Sequence, residues 1–280
     1  MSMLGQRVLT AVVLLALLVP ALFAALDWPF NLLTLLLIGA AGWEWGRLNQ
    51  AGAILSLAMG AALALSCGAA LAVGWTEHAP QLVWWLAALV WVAAGAVALR
   101  SGPSSWPHLP RPVRWVLGLA ALWAAWLAIS HARSIGINFI LSVFCVVWAA
   151  DIAAYFGGRR FGKRKLAPTI SPGKSWEGVY SGMAGVFVLA AIWSAAETRI
   201  ATDSLSLFGQ LRQHLGLVAG LAALAFLAGM SVVGDLIESL VKRAAGAKDS
   251  SALLPGHGGV LDRVDALLPV FPLALALLSL

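Results

Sequence analysis

Apolar residues run along this chain in long blocks, with charge confined to the gaps between them. Stretches free of Asp, Glu, Lys and Arg cover residues 8–26, 28–43, 48–76, 78–99, 115–132, 134–150, 178–196, 213–234 and 266–280. A hydrocarbon core of ~30 Å needs ~20 such residues as a helix. Lipid offers backbone groups no partner, so each block predicts a helix. The alternation of a membrane barrel strand is absent. The pattern predicts an all-α, polytopic integral membrane protein with about nine transmembrane helices. The first block follows Arg7 and ends among small residues, as a signal peptide does. It is long for one and many spans follow, so it reads as a retained helix.

Composition narrows the class. Of 280 residues, 61% are hydrophobic and 11% charged, whereas a soluble domain is about a quarter charged. An ordinary soluble enzyme, a disordered chain and a fibrous repeat are excluded. The net charge of +6 reports topology first. With nine spans and a cytoplasmic N-terminus, 15 of the 18 Lys and Arg fall on the cytoplasmic side, and Arg133, Arg199 and Arg212 on the other. That asymmetry follows the positive-inside rule. The basic residues do not coat a soluble face, so no nucleic-acid partner is expected. Fourteen Trp suit a large bilayer interface. Cys67 and Cys145 lie in apolar runs without disulfide or zinc spacing and predict packed side chains.

Charge gathers in two stretches. Residues 151–177 carry eight charges and residues 235–265 carry nine, together 17 of the 30 in the chain. Both fall on the cytoplasmic side. Residues 1–133 read as scaffold, and Ser101 to Pro112, with four prolines, reads as a cytoplasmic loop between two halves. Residues 134–280 read as the membrane domain that carries the chemistry, with cytoplasmic loops 157–177 and 240–263.

Ionisable groups at membrane depth are costly and point to function. Asp151 ends the sixth span, Asp235 and Glu238 end the eighth, and Asp262 and Asp265 open the ninth. The 15 apolar residues from Ala266 are short for a span, so that helix is expected to start near Asp262. Asp235, Glu238, Ser239 and Lys242 share one helical face, and Asp262 and Asp265 are three apart. For any one carboxylate, a helix N-terminus or a surface Glu238–Lys242 pair would be explanation enough. Several at one depth beside a basic loop favour Mg²⁺, which takes carboxylate oxygens and keeps room for phosphate.

The basic stretch from Gly157 to Gly178 holds six cations and four inner or leading glycines. Retention inside the cell and contact with anionic lipid explain most of the cations. They explain Ser171-Pro172-Gly173-Lys174-Ser175 less well, since a turn, a Lys and two hydroxyls there precede a helix N-terminus, itself an anion site. The spacing is not a Walker loop. In the second stretch His257, among Gly256, Gly258 and Gly259, reads as a phosphate contact or proton carrier. Asp27, Glu44, Glu77 and His78 read as boundary residues.

Residues 239–265, SLVKRAAGAKDSSALLPGHGGVLDRVD, resemble the signature of the phosphatidate cytidylyltransferases, or CDP-diacylglycerol synthases. Ser239, Lys242, Arg243, Lys248, Asp249, Pro255, His257, Gly258, Gly259, Asp262, Arg263 and Asp265 fill its fixed positions. Asp151, Ala154-Tyr155, Phe161-Gly162 and Ser171 to Ser175 are also similar. Ile152 departs where the family often has a small hydroxyl residue. The resemblance covers about 55 residues; the first 133 match only as generic membrane helices. It implies that CTP and phosphatidate give CDP-diacylglycerol and pyrophosphate, with Mg²⁺, for phospholipid synthesis, at a cytoplasm-facing site in a bacterial-type inner membrane. On this reading Asp235 and Asp262 are metal ligands, supported by Asp265 and Asp151. Lys242, Arg243, Lys248, His257 and Arg263 hold phosphates, and Ser171 and Lys174 contact the nucleotide. A second cation and a homodimer stay open. A CTP-dependent lipid kinase would release CDP instead of pyrophosphate. An ion-coupled transporter would place its carboxylates near mid-bilayer.

Overall fold

The computed structural model describes residues 3–280, with side chains from residue 5. Among the described residues nine principal helices form a bundle, one in each predicted block. They are α1 Met3–Phe23, α2 Trp28–Leu48, α3 Ala53–Ala72, a helix running from α5 Gln81–Leu89 through π-helical Val90–Ala94 into α6 Gly95–Ser101, α7 Arg111–Ile135, α8 Ile137–Phe161, α9 Trp176–Glu197, α10 Leu207–Ala244 and α12 Leu267–Leu278. Two single turns, α4 Trp75–His78 and α11 Leu261–Val264, sit between them. The chain is an all-α polytopic membrane protein, and seven of the nine are long and apolar enough to cross a membrane. The exceptions are α2, which carries Glu44 and Arg47, and α12.

α12 explains its own shortness. Its 12 residues span only ~18 Å, and all ten from Leu267 to Ala276 are buried. α10, α7, α5 and α8 surround it. Its apolarity answers to protein neighbours on every side. As expected, helical backbone begins beside Asp262, at Leu261; Asp265 and Ala266 keep helical φ and ψ but form the turn that divides α11 from α12. α10 also bends, because Gly216 adopts φ 76°, ψ 178° inside it, a conformation that suits glycine.

Tryptophan divides between surface and interior: Trp28, Trp85, Trp148 and Trp176 are exposed. Trp45, Trp84, Trp91, Trp106 and Trp126 are buried. Three of them spend the indole N–H inside the bundle: Trp45 donates to the Arg114 carbonyl at 2.9 Å, Trp106 to Asn49 Oδ1 at 2.8 Å and Trp126 to Thr34 Oγ1 at 3.1 Å. A buried indole with a partner joins helices as well as filling space.

The loop between α9 and α10 closes the end of α8. Asp203 accepts from the Ile137 and Asn138 amides at 2.5 and 3.0 Å, donors that a helix start leaves unpaired. Burial disfavours the Asp203 charge, but those two amides outweigh it and hold the carboxyl below its usual range. Such a group contributes stability above the ordinary carboxyl range and loses it as pH falls through the lowered value. Asp203→Ala should cost about 1 kcal/mol at neutral pH in a melting experiment. The difference from wild type should shrink in acid.

The basic stretch, expected as loop, is ordered as a hairpin. β1 Lys165–Ala167 pairs antiparallel with β2 Ser171–Ser175, in the register Lys165 with Ser175 and Ala167 with Ser171. It leads directly into α9, where Ser175 Oγ accepts from the Gly178 amide at 3.2 Å and caps the helix.

Candidate active site

The hairpin is pinned by Glu177, in the first turn of α9. Its carboxyl accepts from the Lys163 and Arg164 amides at 3.0 and 3.1 Å and from Arg164 Nε at 3.1 Å. Lys165 Nζ donates to the Pro172 carbonyl at 2.8 Å. Thus held, the β2 turn carries Lys174 to α10, where its Nζ lies 2.6 Å from Asp235 Oδ2. Ser239, one turn along, donates to Asp235 Oδ1 at 3.2 Å. Asp151 of α8 lies within electrostatic reach of both Lys174 and Asp235. Asp151, Tyr155, Arg159, Ser171, Lys174 and Asp235 line one cavity of about 530 Å³.

A second cluster lies further along α10. The Lys242 ammonium pairs with Glu238 of its own helix and, at 2.6 Å, with Asp262 Oδ1. Both Glu238 and Lys242 are largely shielded, so this pair is not the surface pair that spacing alone would suggest. Asp262 Oδ2 accepts from the Ser250 amide at 2.9 Å, Ser250 Oγ at 2.8 Å and the Gly259 amide at 2.7 Å. Burial works against charge on Asp262. The Lys242 ammonium and the amides prevail and hold its carboxyl well below the usual carboxylate range. Asp265 joins the clusters: it lies within electrostatic reach of Asp235, Lys242 and Lys174. The approach of α10 to α12 is tight there, since a Cβ on Gly234 would meet Pro269 Cδ at 2.9 Å.

The loop from Lys248 to Val260 is shaped by two glycines with positive φ, Gly256 at 74° and Gly258 at 81°. The Leu254 amide donates to the Gly258 carbonyl and the His257 amide to the Leu254 carbonyl, both at 2.8 Å. Arg263 donates through Nε and Nη2 to the His257 carbonyl. His257 Nδ1 is buried and has no hydrogen-bond partner among the described residues.

The loop's anchor was not among the expected site residues. Glu44 of α2, read above as a boundary residue, is fully buried. Its carboxyl accepts from Ser250 Oγ at 3.2 Å, Ser251 Oγ at 2.6 Å, the Val260 amide at 3.0 Å and the Leu261 amide at 2.8 Å. The boundary reading fails because an apolar helix with one acid inside it can turn that acid toward protein. The available signal was the carboxyl itself, four residues inside the C-terminus of a helix whose other charge is Arg47.

Of the expected residues, Asp151, Ser171, Lys174 and Asp235 share the cavity, and Lys242 and Asp262 share the second cluster. Arg243 instead reaches the Ile170 and Ala247 carbonyls at 3.5 and 3.4 Å. Lys248 is exposed and makes no ion pair among the described residues. No three His, Cys, Asp or Glu among the described residues close around one point. Instead, Asp235 and Asp262 each hold a lysine ammonium at 2.6 Å. Carboxylate oxygens are the donor type that Mg²⁺ takes, and those of Asp235 and Asp262 belong to two clusters, each paired with a lysine.

A family model described as the cytidylyltransferase family matches residues 5–280. This chain belongs to that family. A phosphatidate cytidylyltransferase of Pseudomonas aeruginosa is 38% identical over 282 residues, 99% of this chain and 97% of the relative. Proteins of the same name from Haemophilus influenzae and Brucella suis are 47% and 44% identical over 143 and 137 residues. Those alignments cover 51% and 47% of this chain, and 46% and 43% of the relatives. Membership makes this membrane protein a nucleotidyltransferase, as the resemblance implied.

Proposed function

We propose that this enzyme transfers the cytidylyl group of CTP to phosphatidate, giving CDP-diacylglycerol and pyrophosphate at the inner face of a bacterial plasma membrane. The observation that carries the proposal is the 530 Å³ cavity lined by Lys174, Arg159 and Ser171 together with Asp235 and Asp151. It is of ligand size, and it combines phosphate-binding cations with cation-binding carboxylates.

The triphosphate of CTP would lie along β2, against Lys174, Arg159 and the Ser171 hydroxyl. A phosphate oxygen of phosphatidate attacks the α-phosphorus. The new O–P bond forms as the bond from that phosphorus to the bridging oxygen breaks, and pyrophosphate leaves with the electron pair. The nucleophile is already anionic, so no strong base is required. The chain's task is alignment and relief of repulsion between two anions. Lys242 and Arg263 would add positive charge on the side of the lipid phosphate, and Asp265 would keep Lys242 and Lys174 oriented. Mg²⁺, held by Asp235 and Asp262, would supply further charge neutralisation when bound.

Purified protein given CTP, phosphatidate and Mg²⁺ should release pyrophosphate only when both substrates are present, and a chelator should stop it. Release of CDP would refute the reading. Lys174→Ala should raise the KM for CTP at least ~10-fold, about the loss of one charged hydrogen bond. A change confined to the lipid dependence would move Lys174 out of the nucleotide site.

A further inference from the structure

The signature loop also roofs a second cavity. It holds about 210 Å³ between α1, α2, α7 and α8, with walls that include Leu18, Ile38, Trp126 and Phe144. Arg263 is its one charged lining residue. α1 packs chiefly on α2 and exposes Val8, Val12, Leu15 and Val19, so this wall borders the lipid. At the roofed end α1 is tied to the loop itself. Arg7 Nε donates to the Gly256 carbonyl at 3.1 Å, and Thr10 Oγ1 to the Pro255 carbonyl at 2.8 Å.

Three observations identify the occupant. Along α2 the lining runs from Ala41 to Phe30, ~16 Å of helix, or about half of a ~30 Å hydrocarbon core. That is the depth of one leaflet. The charge at the roofed end is positive and only partly used: Arg263 gives Nε and Nη2 to the His257 carbonyl, and Nη1 has no partner among the described residues. The geometry of α11 sets the groove against the site. Successive residues point ~100° apart on a helix, so Arg263 and Val264 line the groove while Asp262 meets Lys242 and Asp265 lies near Asp235.

We infer that this groove seats an acyl chain of the anionic lipid substrate, with Arg263 at its mouth holding the lipid phosphate beside the nucleotide cavity. The inference rests on the proposed function and adds where the lipid lies. One turn of helix, α11, then separates the two substrates. An anionic two-tailed lipid would enter from the cytoplasmic leaflet past α1, without leaving the bilayer.

The test uses the wild-type protein in nanodiscs and a phosphatidate with a diazirine at the end of one acyl chain. Photolysis should label Phe30, Leu33 or Leu37, and unlabelled phosphatidate should compete. Labels confined to the outer faces of α3 or α9 would overturn the inference, as would equal competition by phosphatidylcholine, which would mark a structural lipid. A second arm fills the groove from its loosely packed wall, with Leu14→Trp and Leu18→Trp. The ratio of kcat/KM for dioleoyl over dihexanoyl phosphatidate should fall at least ~10-fold, and an unchanged ratio in folded variants would also overturn it. Liponucleotide formation is scored on the same samples. Its absence would refute the proposed function, whereas activity with labels elsewhere refutes the groove alone.

Discussion

Asp262→Asn should lower turnover at least ~10²-fold, the scale of losing one strong electrostatic contact at a reacting centre. The substitution keeps the shape of the side chain and removes its charge. Its carboxylate now accepts from four donors, among them the Lys242 ammonium and two backbone amides. An amide offers one oxygen and turns an N–H₂ group toward donors. Lys242 would keep its ion pair with Glu238 and lose the one with Asp262, and the proposed metal would lose a ligand. Turnover of the purified variant at saturating substrates, beside its melting temperature, measures this. Near-normal turnover in a folded variant would remove Asp262 from the site.

Glu44→Ala should be the most destabilising single change to the loop. It strips the acceptor from the Val260 and Leu261 amides and from two serine hydroxyls. At this depth water does not readily replace it, and each buried donor left unpaired costs about 1–3 kcal/mol. Hydrogen exchange should quicken at Val260 and Leu261 while the α8 amides stay protected. Activity should fall with it, because the same segment carries Asp262 and Arg263. Glu44→Gln keeps one acceptor oxygen and should recover part of both. Unchanged exchange in Glu44→Ala would show that the loop holds without α2.

Apolar length made the nine helices legible, since each block is unbroken by charge. The same signal could not say which helices meet lipid. α12 and the buried tryptophans are apolar for the protein interior, and hydropathy does not distinguish that interior from a bilayer. At the site, Asp235 and Lys242 were legible because helical spacing fixes which side chains share a face. Lys174 meeting Asp235 was not, because the two are 61 positions apart and are joined by a hairpin whose order depends on Glu177. Glu44 was hidden for the same reason: its partners lie more than 200 residues away. Local pattern states what a segment is, and long-range pairing decides what a polar side chain inside it does.

In the proposed reaction, the cavity beside Lys174 and Asp235 brings the α-phosphorus of CTP to a lipid phosphate. Two parallel reactions test it most directly, with CTP labelled with ³²P at the α or the γ position, purified protein, Mg²⁺ and phosphatidate in micelles. The account predicts α-label in the lipid fraction and γ-label in pyrophosphate. Label from the γ position in the lipid, or α-label remaining in CDP, would contradict it.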